Sequence, residues 1–257
     1  MTTVAEIFET LDYGPAPESP DLALAWLASH GNRFGHFIDG GFRLPEAKQS
    51  VAWVDEGAVL VSTDFGEGSM TASGYPRIAK LWRRGTPLSE ARTLFTGAEE
   101  DVGVWVGAWQ EGERRINVVL HRPAFFETAT HVLADGELLR LELPLDADPE
   151  LVGDRLVVYL RSSWEIGGGS FPAGSLIHTS YEGFLSGGRD FEILLETTDR
   201  QTISGVSTTR DHLLVNLLDD VSGELRRYQY QDGRWSHEPV PAPAMGSIGV
   251  TAISPLH

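Results

Sequence analysis

From Ser50 onward the chain keeps returning to one phase: four short β-rich runs, separated by turn residues, then four more. Val51–Val54, Ala58–Asp64, Ile78–Arg83 and Ala91–Thr96 form one set. Val102–Trp109, Arg115–His121, Phe126–Ala134 and Glu137–Leu143 form a second, and Asp154–Arg161, Trp164–Ile166, Ser175–Tyr181 and Phe191–Glu196 a third. The fourth is Ile203–Thr209, His212–Leu218, Glu224–Gln231 and Arg234–Val240, and Ser247–Ile253 opens a fifth. Four strands per roughly 45 residues, repeated, is the signature of propeller blades. A β-sandwich also has many short strands, but it has no reason to return to a four-strand phase four times. Asp135-Gly136 and Asp232-Gly233 each fall between two runs, where such dipeptides favour tight hairpins. Asp55-Glu56-Gly57 and Asp219–Gly223 play similar parts.

The first forty residues follow another pattern. Val4–Leu11 reads as a helical turn or two, and Gly14–Pro20 is a breaker cluster. Asp21 is placed to cap a short amphipathic helix carrying Leu22, Leu24, Ala25, Trp26 and Leu27, with Gly31 as its stop. His36–Phe42 then reads as a strand leading into a Gly40-Gly41 turn. Two domains are expected: a helical appendage over 1–40 and a β region over 41–257.

Composition narrows the partners. Asp and Glu number 37 against 20 Lys and Arg, a net charge of −17. Phosphate backbones and anionic membrane surfaces need cationic protein, so neither nucleic acid nor membrane is expected as a partner. The absence of cysteine excludes disulfides, thiolate metal sites and a cysteine nucleophile. Met1–Thr10 carries acids and no basic segment ahead of an apolar run, so it does not read as a signal peptide. A cytoplasmic protein is the simplest expectation.

No chemical constellation stands out. A hydrolase serine on a nucleophile elbow needs Gly-x-Ser-x-Gly. Ser170 has Gly168 before it but Pro172 after it, and Ser69 is flanked by Glu67 and Thr71 where glycines are required. Gly167-Gly168-Gly169-Ser170 lacks the Lys-Ser/Thr ending of a phosphate loop and reads as a connection between blades. The eight histidines show neither HxH nor HxxxH spacing, so metal binding would require the fold to gather them. Glu99-Glu100-Asp101 and Asp219-Asp220 read as solvated turn carboxylates rather than a calcium loop. Trp53, Trp82, Trp105, Trp109, Trp164 and Trp235 read as packing between blades, with a carbohydrate platform as the alternative. Arg77, Arg83, Arg84, Arg114 and Arg115 fit either a tunnel or domain face or ordinary surface charge. The expectation is therefore no catalytic, cofactor-binding or metal residue, and no cofactor.

Several stretches carry a family resemblance. They are Gly41–Lys48 with Val51-Ala52-Trp53, Leu60–Gly66, Gly68–Thr71, Ser73–Arg77 and Lys80–Leu88. Tyr159-Leu160-Arg161 with Trp164, Phe171–Leu176 and Thr209–Leu214 continue it. This run resembles the propeller of bacterial prolyl oligopeptidases, a family of serine peptidases. The resemblance implies a seven-bladed propeller that covers a separate α/β-hydrolase domain and admits only oligopeptides, the triad lying in the hydrolase domain. It implies a partial propeller of about four blades here, inactive by itself, partnered by such a hydrolase domain or by a second copy through exposed blade edges. Two rival expectations stand beside it: a serine-type peptidase by propeller similarity, against which the missing nucleophile elbow counts, and an independent protein-binding module. Residues 3–40, through Val4–Thr10, Asp12–Glu18, Ala25-Trp26-Leu27 and Phe34–Gly40, are similar to the N-terminus of some bacterial aldehyde dehydrogenases. Together the two resemblances imply a truncated, chimeric chain joined near Asp39–Phe42.

Overall fold

The computed structural model describes residues 49–241 apart from 56, 112, 113, 210 and 221, together with 249–250 and the backbone of two short strands near the N-terminus. The chain divides into two compact units, 1–47 and 48–257.

In the first unit β1 (His36–Ile38) and β2 (Gly41–Arg43) pair antiparallel, with Phe37 opposite Phe42 and Ile38 opposite Gly41. Gly41 is thus the first residue of a strand, not part of the turn expected of it. The helices expected over Val4–Leu11 and Leu22–Leu27 lie outside the described residues, as does nearly all of Ser247–Ile253.

The second unit is built from four antiparallel four-stranded sheets, each a meander closed before the next begins. Sheet one is β3 (Ser50–Trp53), β4 (Ala58–Ser62), β5 (Ile78–Arg83) and β6 (Arg92–Thr96). Sheet two is β7 (Gly103–Glu111), β8 (Arg114–Ala124), β9 (Glu127–Ala134) and β10 (Glu137–Arg140). Sheet three opens with β11 (Asp148–Val152) and β12 (Arg155–Tyr159). A detached hairpin, β13 (Trp164–Ile166) with β14 (Gly169–Phe171), follows before β15 (Leu176–Ser180) and β16 (Glu192–Leu195) complete that sheet. Sheet four is β17 (Gln201–Thr208), β18 (Leu213–Asp219), β19 (Ser222–Gln231) and β20 (Arg234–Pro239).

Turn chemistry closes the hairpins. Asp135 and Gly136 both take positive φ, 49° and 81°, as do Asp232 and Gly233, at 53° and 76°. That is the mirror-image turn whose twist matches paired strands. The β11–β12 turn instead places Gly153 alone at positive φ, 55°, between the paired Val152 and Arg155.

Sheets one, two and four fall in the expected phase, and sheet three does not. Its first strand is β11, which the expected set omitted. Trp164–Ile166, expected as its second strand, pairs only with Gly169–Phe171. The cause is Pro149. Proline cannot donate to a ladder, so Asp148-Pro149-Glu150 reads as a break, yet an edge strand tolerates it. β11 is such an edge, bonded to β12 alone within its sheet. A second departure is α1 (Tyr181–Leu185), a single turn where no helix was expected. Ser180 caps it by accepting from Gly183 N at 3.2 Å, and it buries Tyr181 and Phe184.

Three cores lie between successive sheets, and adjacent residues of one strand serve different cores. Leu156 and Val158 of β12 join Ile116, Val118 and Val132 of sheet two. Val157, between them, joins Leu213, Val215 and Leu217 of sheet four. Leu60 and Ala79 of sheet one meet Val104 and Val119 of sheet two. The two-residue period of a strand sends neighbours to opposite faces. Each such buried Val, Leu or Ile side chain contributes about 1.5–3 kcal/mol relative to an exposed one. The first strands also contact one another in series, β3 with β7, β7 with β11, and β11 with β17.

Candidate functional site

A cavity of about 620 Å³ lies where the first strands of sheets two, three and four approach one another. β7 contributes Trp105, Gly107 and Trp109, β11 contributes Asp148 and Glu150, and β17 contributes Ile203 to Val206. Small residues leave the room. Gly107 and Gly205 present no side chain, and Ser204 is the extra residue of a bulge between the Ile203–Leu217 and Gly205–Asn216 pairs. Bulges re-aim a strand locally and are frequent beside sites.

The charged groups on the wall differ in whether they have a partner. Arg161 donates to Asp148 Oδ2 at 2.7 Å, and its guanidinium lies 5.5 Å from the Tyr159 ring centre. Arg122 donates through Nε to Thr128 Oγ1 at 3.2 Å and lies 5.7 Å from the Trp105 ring. Glu150 is half-buried, and the Thr208 hydroxyl is its hydrogen-bond partner. No described cation reaches ion-pair distance of it. Burial, reinforced by the like charge of Asp148 and opposed by Thr208, pushes the Glu150 carboxyl up to about 7. At neutral pH it is therefore poised between its charged and neutral forms.

The residues singled out in the sequence occupy other places. Ser69 organises a loop: its hydroxyl accepts from Phe65 N at 2.8 Å and lies 2.6 Å from Gly66 O. Ser170 is exposed on β14. Gly167 and Gly168, at φ 59° and 79°, form the β13–β14 turn rather than a connection between sheets. Glu99 and Glu100 are exposed as expected, but Asp101 is buried at 7% exposure. It accepts from Ala98 N and from His121 Nε2, each at 2.7 Å, so it is a structural carboxylate and not a solvated one. Of the second acid pair, Asp220 is bound by Arg200 and Asp219 accepts from Gln201 Nε2 at 3.0 Å.

The fold gathers two histidines that the sequence leaves ten residues apart. His121 and His131 both pack on Phe95, with ring centres 4.8 and 5.0 Å away. Burial holds His131 below its ordinary range. His178 sits between sheets three and four beside Trp235, Tyr230 and Arg155. Burial, with help from Arg155, lowers it to about 4. Among the described residues no group of three or more His, Asp or Glu is placed to hold a metal ion. Trp109 and Trp164 pack on the core between sheets two and three, and Trp235 on the next. Arg77 is tied to Gly68 O and Gly97 O, while Arg83, Arg84 and Arg115 are exposed.

Comparison with known proteins bears on this architecture. No family model matches the chain. The uncharacterized peptidase y4nA of Sinorhizobium fredii is 28% identical over 228 residues, covering 85% of this chain and 31% of the relative. The uncharacterized peptidase RP174 of Rickettsia prowazekii is 21% identical, covering 79% and 28%. A post-proline cleaving enzyme from Rickettsia typhi superposes with a TM-score of 0.67 at 20% identity, over 77% of this chain and 31% of that one. Oligopeptidase B from Trypanosoma brucei does so with a TM-score of 0.56 at 15% identity, over 80% and 28%. The resemblance to prolyl oligopeptidases thus extends to homologous peptidases in sequence and to such enzymes in fold. The chain spans about three-tenths of the length of the curated relatives it matches. These relatives lend no support to the aldehyde dehydrogenase resemblance of residues 3–40. No described helix is long and apolar enough to cross a membrane.

Proposed function

We propose that this chain is the non-catalytic propeller part of a prolyl oligopeptidase-like serine peptidase, its four sheets being blades that gate oligopeptide access to a separate α/β-hydrolase domain. The observation that carries this reading is the match of four consecutive four-stranded meanders to about three-tenths of a longer peptidase. Two further features support it. The first strands touch in series, as the inner strands of successive blades must. No serine in the chain has the Gly-x-Ser-x-Gly setting of a hydrolase nucleophile. The mechanism is exclusion: a passage between inner strands admits a short peptide and rejects a folded protein. The test is an assay of the purified chain, freed of host peptidases, on a proline-containing chromogenic peptide. No turnover is expected, and turnover above the buffer blank overturns the reading.

An independent protein-binding module is the second reading. Phe125 and Phe126 favour it. They form the β8–β9 turn, stand 72% and 79% exposed, and pack edge to face on each other at 4.9 Å. Capture of a separately expressed α/β-hydrolase domain by the chain separates the two readings in favour of the first.

A further inference from the structure

We propose that the cavity between β7, β11 and β17 binds a guanidinium or ammonium group, with Glu150 as its counter-ion and Trp105, Trp109 and Tyr159 as its aromatic walls. The cavity lies among the same first strands that the gating reading places innermost, but this inference is argued from its wall residues alone and does not rest on the peptidase reading.

The cavity wall carries two carboxylates and two guanidinium groups. Asp148 and Arg161 satisfy each other, and Arg122 is turned onto Thr128 and the Trp105 ring. Glu150 is left with a hydroxyl and no described cation, although it is half-buried. A carboxylate withdrawn from water without a counter-charge is costly, and a bound cation removes that cost. Aromatic faces attract the same ligand, because a ring's negative face draws a cation. Cavities of this volume are typical of small-ligand sites, which span about 300–1,000 Å³. An anion could meet Arg122 but would set a like charge against Glu150, and a purely apolar ligand would bury Glu150 further with nothing to pair it.

The groups facing Glu150 fix the pH dependence. On its own strand these are Asp148, already paired, and Pro149. Tyr159 and Arg161 come from β12 and the residues after it, and Arg122 from β8. β17 presents Ser204 and Thr208, which carry no charge. Glu150 is therefore the wall group that changes charge near neutrality, becoming anionic as pH rises through about 7.

Isothermal titration of the full chain with N-acetyl-L-arginine amide, which carries one positive charge, tests the proposal. Its neutral isostere N-acetyl-L-citrulline amide is the control ligand. Saturable binding of the arginine compound is expected, at least tenfold tighter than the citrulline compound. Glu150→Gln should weaken it at least tenfold, while Glu165→Gln, an exposed carboxylate on β13, should not. Wild-type affinity should rise about five- to tenfold between pH 6 and pH 8, following the ionised fraction of Glu150. Equal binding of the two compounds, no saturable binding, or an affinity flat across that pH range would each overturn the proposal. The ligand pair and the pH series use the wild-type chain alone, so they decide the matter even if Glu150→Gln does not fold.

Discussion

Asp101, at the seam between sheets one and two, and Glu150, on the wall where sheets two, three and four meet, are both carboxylates that neighbouring sheets draw away from solvent. Around Asp101 everything is paired: Ala98 N and His121 donate to it. Much of that seam is closed as well, although His131 Nδ1 is buried there without a partner. Val104 N donates to Pro76 O at 2.7 Å and Val106 N to Ser50 Oγ at 2.9 Å, while the Ser62 hydroxyl lies 2.9 Å from Val104 O. Around Glu150 the strands part, a bulge intervenes, and the carboxylate faces a cavity. The difference teaches that burial alone does not distinguish a structural carboxylate from a candidate site. What distinguishes them is whether the protein supplies the partner itself.

Four substitutions and one acid titration sharpen or break that contrast. Asp101→Ala should have the largest effect, about 2–3 kcal/mol of lost stability, because it removes a buried carboxylate and leaves Ala98 N and the partly buried His121 without their acceptor. Urea denaturation at pH 7 measures it, and a loss below about 1 kcal/mol would make the closed seam irrelevant to stability. His178 comes next. Its folded value lies below its unfolded one, so its contribution is intact above about 6.5 and is lost as pH falls toward 4. A decline of about 2 kcal/mol across that window is expected, and it should be smaller in His178→Gln. Glu150 carries the opposite sign. Its folded value lies above its unfolded one, so stability is full below about 4.5 and declines as pH rises toward 7. Glu150→Gln should therefore raise stability by about 1–2 kcal/mol at pH 8 and change little at pH 4.5. A stabilisation equal at both values would show that the charge is not what matters. Smallest of all, Phe126→Ser lies at a hairpin tip outside both regions and should stay within about 0.5 kcal/mol of the wild type. A larger loss would mean that the exposed pair is holding something in place.

Much of the fold was legible because the hairpins announce themselves. Asp135-Gly136 and Asp232-Gly233 fix both the turn type and the register of the strands beside them. Sheet three was misread where local chemistry and tertiary context disagree. Pro149 forbids a central strand but not an edge, and no local rule says which one β11 is. Trp164–Ile166 has strand composition and does form a strand, but in a hairpin of its own. The candidate site was less legible still. Tyr159 and Arg161 lie within a family-like motif and Trp105 stands out as an aromatic, yet nothing local marks Glu150. Its significance comes from Trp105 and Ser204, more than forty residues away on either side, and strand periodicity cannot say which neighbouring sheet a face will meet. Asp101 was misjudged for the same reason: its partner His121 lies twenty residues on, across a strand.

The alternation along β12 has a consequence for how damage spreads. Leu156 and Val158 answer to one neighbour and Val157 to the other, so each inner sheet is a partition wall with two independent tenants. A void opened at Val157 is felt by sheet four, while sheet two keeps its contacts through the residues on either side. Disturbance therefore passes from sheet to sheet only by loosening a whole wall, as in a row of nearest-neighbour couplings. Hydrogen exchange in Val157→Ala should quicken in β17 to β20 well before it quickens in β3 to β6. The wall itself sets the distance over which one sheet can sense another.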